Sequence, residues 1–253
     1  MDKRDIALLD RIDLPAALGL LTRLPVVVDG DRATARGAAA AWAYPLVGVV
    51  LGVILAAAAA LLKAVGLPAG IIAGLLLAMS VILTGAMHED GLADSADGLW
   101  GGWDRARRLE IMKDSRIGVY GVCAIALGLL LRWLALTVVM SLGAYWVALI
   151  AVGALSRASI VVLMGAMLPA RSNGLSRTVG RPAQTTVWLA AGLGAGIAVL
   201  CGFWALIIVS GITTVICGLI ARTKIGGQTG DILGATQQLT EITMLLALTV
   251  ILT

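Results

Sequence analysis

The sequence predicts an all-α protein, a polytopic bundle of about seven transmembrane helices, with six to eight spans compatible with the pattern. Only 13% of its 253 residues are charged and 60% are hydrophobic, whereas a soluble domain carries about 25% charged residues. Three long stretches are nearly free of charge: 37–87, 117–170 and 182–221. Each exceeds the roughly 20 apolar residues that cross a bilayer, and the longest can cross twice. We therefore interpret residues 1–253 as one integral-membrane domain.

Residues 1–36 form a charged N-terminal segment with six acidic and six basic side chains. Its apolar run, 14–21, is too short to span a bilayer, so we expect an amphipathic helix on the membrane surface or against the bundle. Pro25 ends this run, because proline is not accommodated in a helix interior. The charges scattered before this run leave no apolar core for a cleaved signal peptide.

The predicted spans follow in order along the chain. They are 38–62, 69–87, 117–140, 145–168, two short helices within 185–221 that turn near Gly202, and a last helix ending at 253. With the N-terminus inside, the loops 88–116, 169–184 and 222–231 fall on one side and hold ten Lys and Arg residues. The positive-inside rule places these loops in the cytoplasm. The net charge of +4 therefore reflects basic loops beside membrane lipid, and no nucleic acid is expected as a partner.

Two arginines interrupt the predicted spans, and an ionisable residue inside a span is a functional hypothesis by default. Arg132 stands beside Trp133, and we interpret it as a residue near the interface whose side chain reaches outward to the headgroups. Arg157 is flanked by small residues, so we expect it to provide a cation for a phosphate or for the acidic cluster. The three cysteines lie in apolar segments and have no metal-ligand spacing.

The segment 88–116 is the acidic motif of the chain, with seven of its 15 acidic residues. Asp90, Asp94 and Asp97 are spaced i, i+4 and i+7, which places three carboxylates on one face of a helix. A solvated cytoplasmic loop is the alternative, but such a loop needs no carboxylates in register. Gly91 and Gly98 leave room for a ligand or another backbone. We therefore predict that the three aspartates hold Mg²⁺ together with substrate phosphates.

Further charged groups are expected on the same face of the membrane. Besides Arg157, they are His88, Lys113, Asp114, Arg116, Arg171 and Asp231. Carboxylate-held Mg²⁺ with basic residues nearby suits phosphoryl or phosphodiester transfer, in which one carboxylate accepts the proton of an attacking hydroxyl. The glycine-rich segment 226–231 either presents backbone N–H groups to phosphate or begins a helix with Asp231 near its cap. For His88, the only histidine, we expect a positioning role.

The motifs at 88–102 and 111–121 resemble those of the cobalamin synthase family, the adenosylcobinamide-GDP ribazoletransferases. The resemblance continues along the chain at 20–26, 44–48, 156–157, 170–175 and 226–241. Gln238 departs from it, since an acidic residue is expected there. The resemblance implies a multi-pass enzyme of the bacterial inner membrane that faces the cytoplasm. It would join adenosylcobinamide-GDP, a corrinoid nucleotide, to α-ribazole or its 5′-phosphate, giving adenosylcobalamin or its phosphate and GMP.

The same resemblance suggests roles for the residues. Asp90, Asp94 and Asp97 would bind Mg²⁺, with Asp97 as the base. Lys113, Arg116 and Arg157 would hold phosphate oxygens, and His88, Asp114, Arg171 and Asp231 would contact substrate. A homo-oligomer, or a complex with other enzymes of B12 synthesis, is compatible with the sequence.

Two other functions remain open at this point. CDP-alcohol phosphotransferases also set several Asp residues around Asp-Gly turns at the ends of membrane helices. However, their motif continues Ala-Arg, whereas here Ala93 is followed by Asp94. A cation transporter would place its carboxylates near the bilayer midplane, whereas this triad is expected at a membrane boundary.

Overall fold

A computed structural model describes residues 7–253 of the chain. In this range the chain forms α-helices joined by short connections, and no β-strand is formed there. The helices are α1 (Asp13–Leu21), α2 (Gly30–Arg36), α3 (Tyr44–Ala64), α4 (Ala69–Thr84), α5 (Met87–Gly101), α6 (Arg105–Ile111), α7 (Val119–Leu142), α8 (Tyr145–Ala166), α9 (Leu175–Val179), α10 (Gln184–Leu200), α11 (Ala205–Ile225) and α12 (Gly230–Ile251), with a 3₁₀ helix (Gly37–Ala43) before α3. The all-α fold class is confirmed.

The protein is a multi-pass membrane protein by the length and composition of its helices. Four helical segments suffice to cross a membrane: Gly30–Ala64, α7, α8 and α11. Helices α4 and α5 qualify as a fifth span only if taken together across an 89° bend, and α10 is a shorter apolar helix. The seven helices α3, α4, α7, α8, α10, α11 and α12 occupy the seven predicted intervals. The count of seven spans stays a prediction.

Helix α8 lies at the centre of the bundle. Of its most apolar stretch 83% is buried, compared with 28% for α7 and for α11. Helices α3, α10, α11 and α12 all pack against it. Gly48 of α3 and Gly153 of α8 make the closest of these crossings, because a Cβ added to either would meet the carbonyl group of the other. The outer helices expose leucines and isoleucines, as a lipid-facing surface requires.

The N-terminal part of the described chain packs against the bundle. Helix α1 contacts the 3₁₀ helix and α3, which is the second of the two predicted arrangements for the run 14–21. The buried carboxylate of Asp13 is paired with Arg36 at 2.6 Å and accepts a hydrogen bond from the indole N–H of Trp42 at 2.8 Å. Residues 1–6 of the predicted amphipathic segment lie outside the described residues.

A sharp turn separates the second apolar helix from the acidic motif. Gly85 and Ala86 both adopt left-handed backbone conformations, with φ of 65° and 57°. Helix α4 therefore ends at Thr84, earlier than the predicted end of the span at Met87. After the 89° bend, α5 packs against α12 and against α7, from the start of α7 to its middle. The acidic motif thus begins on a helix, which its i, i+4, i+7 spacing requires.

The three basic loops meet at this end of the bundle. Arg105, at the start of α6, donates hydrogen bonds to the carbonyl oxygens of Ile225 and Ala170, at 2.8 and 2.9 Å. The backbone N–H of Ala170 donates to the carbonyl oxygen of Gln228 at 2.8 Å. Three segments that are distant in the chain are therefore joined at one end of the bundle. The predicted order of the spans places the same three loops on one side of the membrane.

Candidate active site

A cavity of about 330 Å³ opens where α5, the α8–α9 loop (167–174) and the start of α12 come together. Its polar lining comes from these three segments and α9: His88, Asp90, Arg171, Asn173, Ser176, Arg177, Gln228, Thr229 and Asp231. Its apolar lining includes Leu21, Tyr44, Ile160 and Met164. Four of the predicted site residues therefore share one cavity: His88, Asp90, Arg171 and Asp231.

Helix α12 begins at this cavity with Thr229 as its N-cap. The hydroxyl of Thr229 accepts a hydrogen bond from the backbone N–H of Ile232 at 3.3 Å. Asp231 in the first turn is paired with Arg171 at 3.1 Å, and Arg171 also donates to the carbonyl oxygen of Leu109 at 3.2 Å. Of the two predicted arrangements for 226–231, the start of a helix is the one observed. Its first turn nevertheless faces the cavity.

Two glycines bring α5 and α12 into direct backbone contact. A Cβ added to Gly91 would lie 2.8 Å from the carbonyl oxygen of Asp231 and 3.2 Å from the Cα of Gly234. The space that Gly91 leaves is therefore filled by another backbone. This close crossing places Asp231 beside the carboxylates of α5, although the two segments are far apart in the chain.

The carboxylates at this crossing share one electrostatic environment. Asp94 lies one turn after Asp90 and is half-buried. Burial, followed by the charges of Asp90, Asp231 and Asp97, raises the pKa of Asp94 to about 7, while Arg171 opposes the shift. Four carboxyl groups against Arg171 and the exposed Arg177 of the cavity lining leave an excess of negative charge. A bound divalent cation would offset that excess.

The donor chemistry of these residues fits Mg²⁺. Within 7–253, no three His, Cys, Asp or Glu side chains converge into a ready-made metal cluster. Mg²⁺ does not require one, since it commonly keeps several waters and binds through one or two carboxylates plus substrate phosphates. Asp90 and Asp231 line the cavity and supply such oxygen donors. Two protein carboxylates are therefore available, and substrate phosphates and waters would provide the remaining ligands of the ion.

Asp97 has a different environment from the other two aspartates of the motif. One of its oxygens accepts a hydrogen bond from the backbone N–H of Gly118 at 2.7 Å and the other from that of Gly121 at 2.9 Å. These N–H groups belong to the start of α7, so Asp97 caps this helix from a neighbouring one. A Cβ at Gly118 or Gly121 would collide with the carboxylate. Both oxygens of Asp97 are thus already engaged.

The predicted cluster at 113–116 lies on the surface beyond α6. Arg116 and Asp114 form an exposed ion pair at 2.7 Å, and Lys113 is exposed. The pair with Arg116 lowers the pKa of Asp114 to about 2. None of the three lines the cavity, so the fold brings them near the acidic helix without placing them in its pocket.

Deeper in the bundle lies a buried ionic network. Arg132 contacts Glu89 at 2.9 Å and Glu241 at 2.7 Å, and Arg157 contacts Glu241 at 3.1 Å. Gln238 accepts a hydrogen bond from Arg132 and donates one to Glu89, at 2.9 and 3.1 Å. The outward-reaching interpretation of Arg132 is wrong, because its side chain is only 1% exposed. Arg157 likewise meets a glutamate, not the aspartates of α5.

His88 lies between this network and the cavity. Its side chain is 1% exposed, and neither ring nitrogen has a hydrogen-bond partner among the described residues. Sequence reasoning missed Gln228, Ser176 and Thr229 as lining residues. The glycines around 226–230 were the available signal, since they allow this segment to approach the α8–α9 loop.

The chain is similar to one group of known proteins over nearly its whole length. A family model described as cobalamin-5-phosphate synthase matches residues 13–249. A protein of Bradyrhizobium diazoefficiens is 42% identical over 92% of both chains. A relative from Mesorhizobium japonicum is 42% identical over 95% of this chain and 93% of its own length. A relative from Xanthobacter autotrophicus is 43% identical over 94% of this chain and 96% of its own length. All three are named adenosylcobinamide-GDP ribazoletransferase. No solved structure matches the chain.

Proposed function

Because the chain belongs to the cobalamin-5-phosphate synthase family, we propose that it joins adenosylcobinamide-GDP to α-ribazole or its 5′-phosphate at the cavity between α5, the α8–α9 loop and α12. The products are adenosylcobalamin, or its phosphate, and GMP. One observation supports this location above others: Asp90, Asp231 and Arg171 come from three distant segments and line one cavity. Carboxylates and a guanidinium in one pocket suit the transfer of a phosphate ester.

The reaction forms one phosphorus–oxygen bond and breaks another. A ribose hydroxyl of α-ribazole attacks the phosphorus attached to cobinamide, the bond to GMP breaks, and the hydroxyl proton leaves. Asp90 and Asp231 would hold Mg²⁺, which when bound supplies positive charge to the diphosphate and the leaving GMP. Arg171 orients a phosphate oxygen while keeping Asp231 in place.

Asp94 is the residue we propose as the acceptor of the hydroxyl proton. It lies one turn from Asp90 on the same face of α5 and is half-buried, and a carboxylate within hydrogen-bond reach of the attacking hydroxyl can take its proton. Asp97 has both oxygens in hydrogen bonds to the start of α7, so we assign it to positioning that helix against α5. Lys113 and Arg116, exposed beside α6, remain proposed contacts for the nucleotide end of the corrinoid substrate.

The test is an activity assay on the purified chain in lipid nanodiscs. Adenosylcobinamide-GDP and α-ribazole are supplied after chelation of divalent cations, and GMP and corrinoid product are followed. We expect no turnover until Mg²⁺ is added back, and then one GMP for each corrinoid formed. Full activity in the presence of the chelator would refute the role of Mg²⁺, while the proposed reaction would still stand.

Two control experiments address the other functions. CDP-alcohols in place of the corrinoid nucleotide are expected to release no CMP, and their turnover would favour a phospholipid synthase. Mg²⁺-driven cation uptake into proteoliposomes, without any reaction product, would favour a transporter. We also propose that the cavity faces the cytoplasm from the bacterial inner membrane, because the loops that form it carry most of the basic residues outside the N-terminal segment.

A further inference from the structure

The size of the cavity restricts which substrate it can enclose. Its volume of about 330 Å³ lies at the low end of the roughly 300–1,000 Å³ typical of ligand pockets. Adenosylcobinamide-GDP combines a corrin macrocycle, an adenosyl group and a nucleotide, and is far too large. α-Ribazole is a single nucleoside, in which a flat dimethylbenzimidazole is attached to a ribose. The volume therefore suits the smaller substrate, if the proposed function holds.

The lining of the cavity combines apolar and polar side chains. Leu21, Tyr44 and Ile160 are buried and apolar or aromatic. His88 and Gln228 are equally buried but polar, and the exposed part of the lining carries Asn173 and Arg177 beside Leu175. The apolar part removes a hydrocarbon ring from water, and the polar groups can bind a ring nitrogen, sugar hydroxyls or a phosphate. This combination matches a nucleoside with an apolar base and a polar sugar.

Two buried side chains of the lining have hydrogen-bonding atoms without partners. Both ring nitrogens of His88 and the side-chain nitrogen of Gln228 have none among the described residues. The oxygen of the same amide accepts a hydrogen bond from Ser176 at 2.6 Å, which fixes its nitrogen as a free donor. Buried polar groups are normally hydrogen-bonded. Two such groups in one cavity therefore indicate a ligand that supplies acceptors.

We propose that this cavity is the α-ribazole subsite, with His88 donating a hydrogen bond to the unsubstituted ring nitrogen of the benzimidazole. Gln228, whose amide oxygen is held by Ser176 of α9, donates to a ribose hydroxyl. The corrin macrocycle stays outside, and only its phosphate reaches Asp90 and Arg171 at the edge of the cavity. His88 thus selects the base, which makes specific the substrate contact that the family resemblance implies for it.

The first test separates the two substrates kinetically. His88→Ala is expected to raise the KM for α-ribazole about threefold to tenfold, the effect of one lost neutral hydrogen bond, with the KM for adenosylcobinamide-GDP unchanged within about twofold. His88→Gln keeps an N–H donor and should recover part of the loss. Ser172→Ala, an exposed residue of the same loop that does not line the cavity, is the matched control. A rise confined to the KM for adenosylcobinamide-GDP would overturn the proposal.

The second test isolates the hydrogen bond itself. The riboside of 5,6-dimethylindole has a C–H group in place of the accepting ring nitrogen. Wild-type protein should disfavour it relative to α-ribazole by the same factor that His88→Ala costs, and His88→Ala should no longer distinguish the two. Equal losses on both ribosides would show that His88 only supports the fold. Failure of the proposed function is distinguishable, because wild-type protein would then form no product from α-ribazole at all.

Discussion

Two aspartates on one face of α5 have different partners, so their substitutions should separate activity from stability. Asp94→Asn removes the proposed base and is expected to lower turnover about 100-fold or more. Its free energy of unfolding should be unchanged or higher, because burial and like charges already oppose the ionised carboxylate in the folded state. Asp97→Ala removes the acceptor of the Gly118 and Gly121 N–H groups and should destabilise the protein by about 1–3 kcal/mol. Product formation and denaturant unfolding measure the two effects. Wild-type rates in a correctly inserted Asp94→Asn variant would refute its assignment.

The spacing of the aspartates predicts their shared helical face but not this division of roles. Asp90, Asp94 and Asp97 recur at helical intervals, a pattern that a sequence shows directly. The partners of Asp97 are backbone groups at the start of a later helix, and a backbone N–H has no signature in a sequence. The same limit applies to Arg132, whose acidic partners Glu89 and Glu241 belong to two other helices, one on each side of it in the chain.

Breaking the buried ionic network should cost much more than breaking a surface pair. Arg132→Met leaves Glu89 and Glu241 buried without their shared cation, and loss of one partner of a buried pair costs about 3–5 kcal/mol. Arg107→Met is the matched control, because its pair with Glu110 is exposed and contributes at most about 1 kcal/mol. Unfolding of both variants in the same detergent compares them. Equal losses would mean that the network contributes no more than a surface contact.

At the scale of the helices, the crossing of α3 and α8 depends on glycine. Gly48→Ala places a methyl group against the carbonyl group of Gly153, and overpacking of this kind costs about 1–3 kcal/mol. Gly192→Ala in α10 has nothing within 4 Å and should be neutral or stabilising by up to about 1 kcal/mol. Thermal unfolding in nanodiscs checks both. A stable Gly48→Ala variant would show that the two helices can separate without cost.

The positions of the helices could be predicted from hydropathy, whereas the bend after α4 could not. The apolar run continues through Met87, so the pattern extends the second span to that residue. The chain instead turns at Gly85 and Ala86, and a left-handed alanine has no sequence signal. The turn matters for the site, because it directs α5 across the bundle and brings Asp90 to the start of α12. The close contact of α5 with Gly234 in α12 stabilises this direction of the chain. The local sequence around the turn does not reveal that contact.

The charges of the whole molecule are arranged in two groups that serve different purposes. The buried group pairs two arginines with two glutamates and joins α5, α7, α8 and α12. The group around the cavity is less balanced, with Asp90, Asp94 and Asp231 against Arg171 and the exposed Arg177. A balanced network stabilises the position of α5 without attracting ions. The less balanced one attracts a cation and its phosphate ligands, which is what the proposed chemistry needs.

The orientation of the molecule gives the last prediction, which also tests the bent pair. In a chain with Cys123, Cys201 and Cys217 replaced by serine, new cysteines are placed at the exposed positions Val65, after α3, and Ser172, before α9. Helices α4, α7 and α8 lie between them, so three crossings put the two positions on opposite sides. A membrane-impermeant maleimide should label Val65→Cys in intact spheroplasts and Ser172→Cys only in inside-out vesicles. Labelling of both from one side would mean that α4 and α5 form a re-entrant segment, because two crossings return the chain to the side it left.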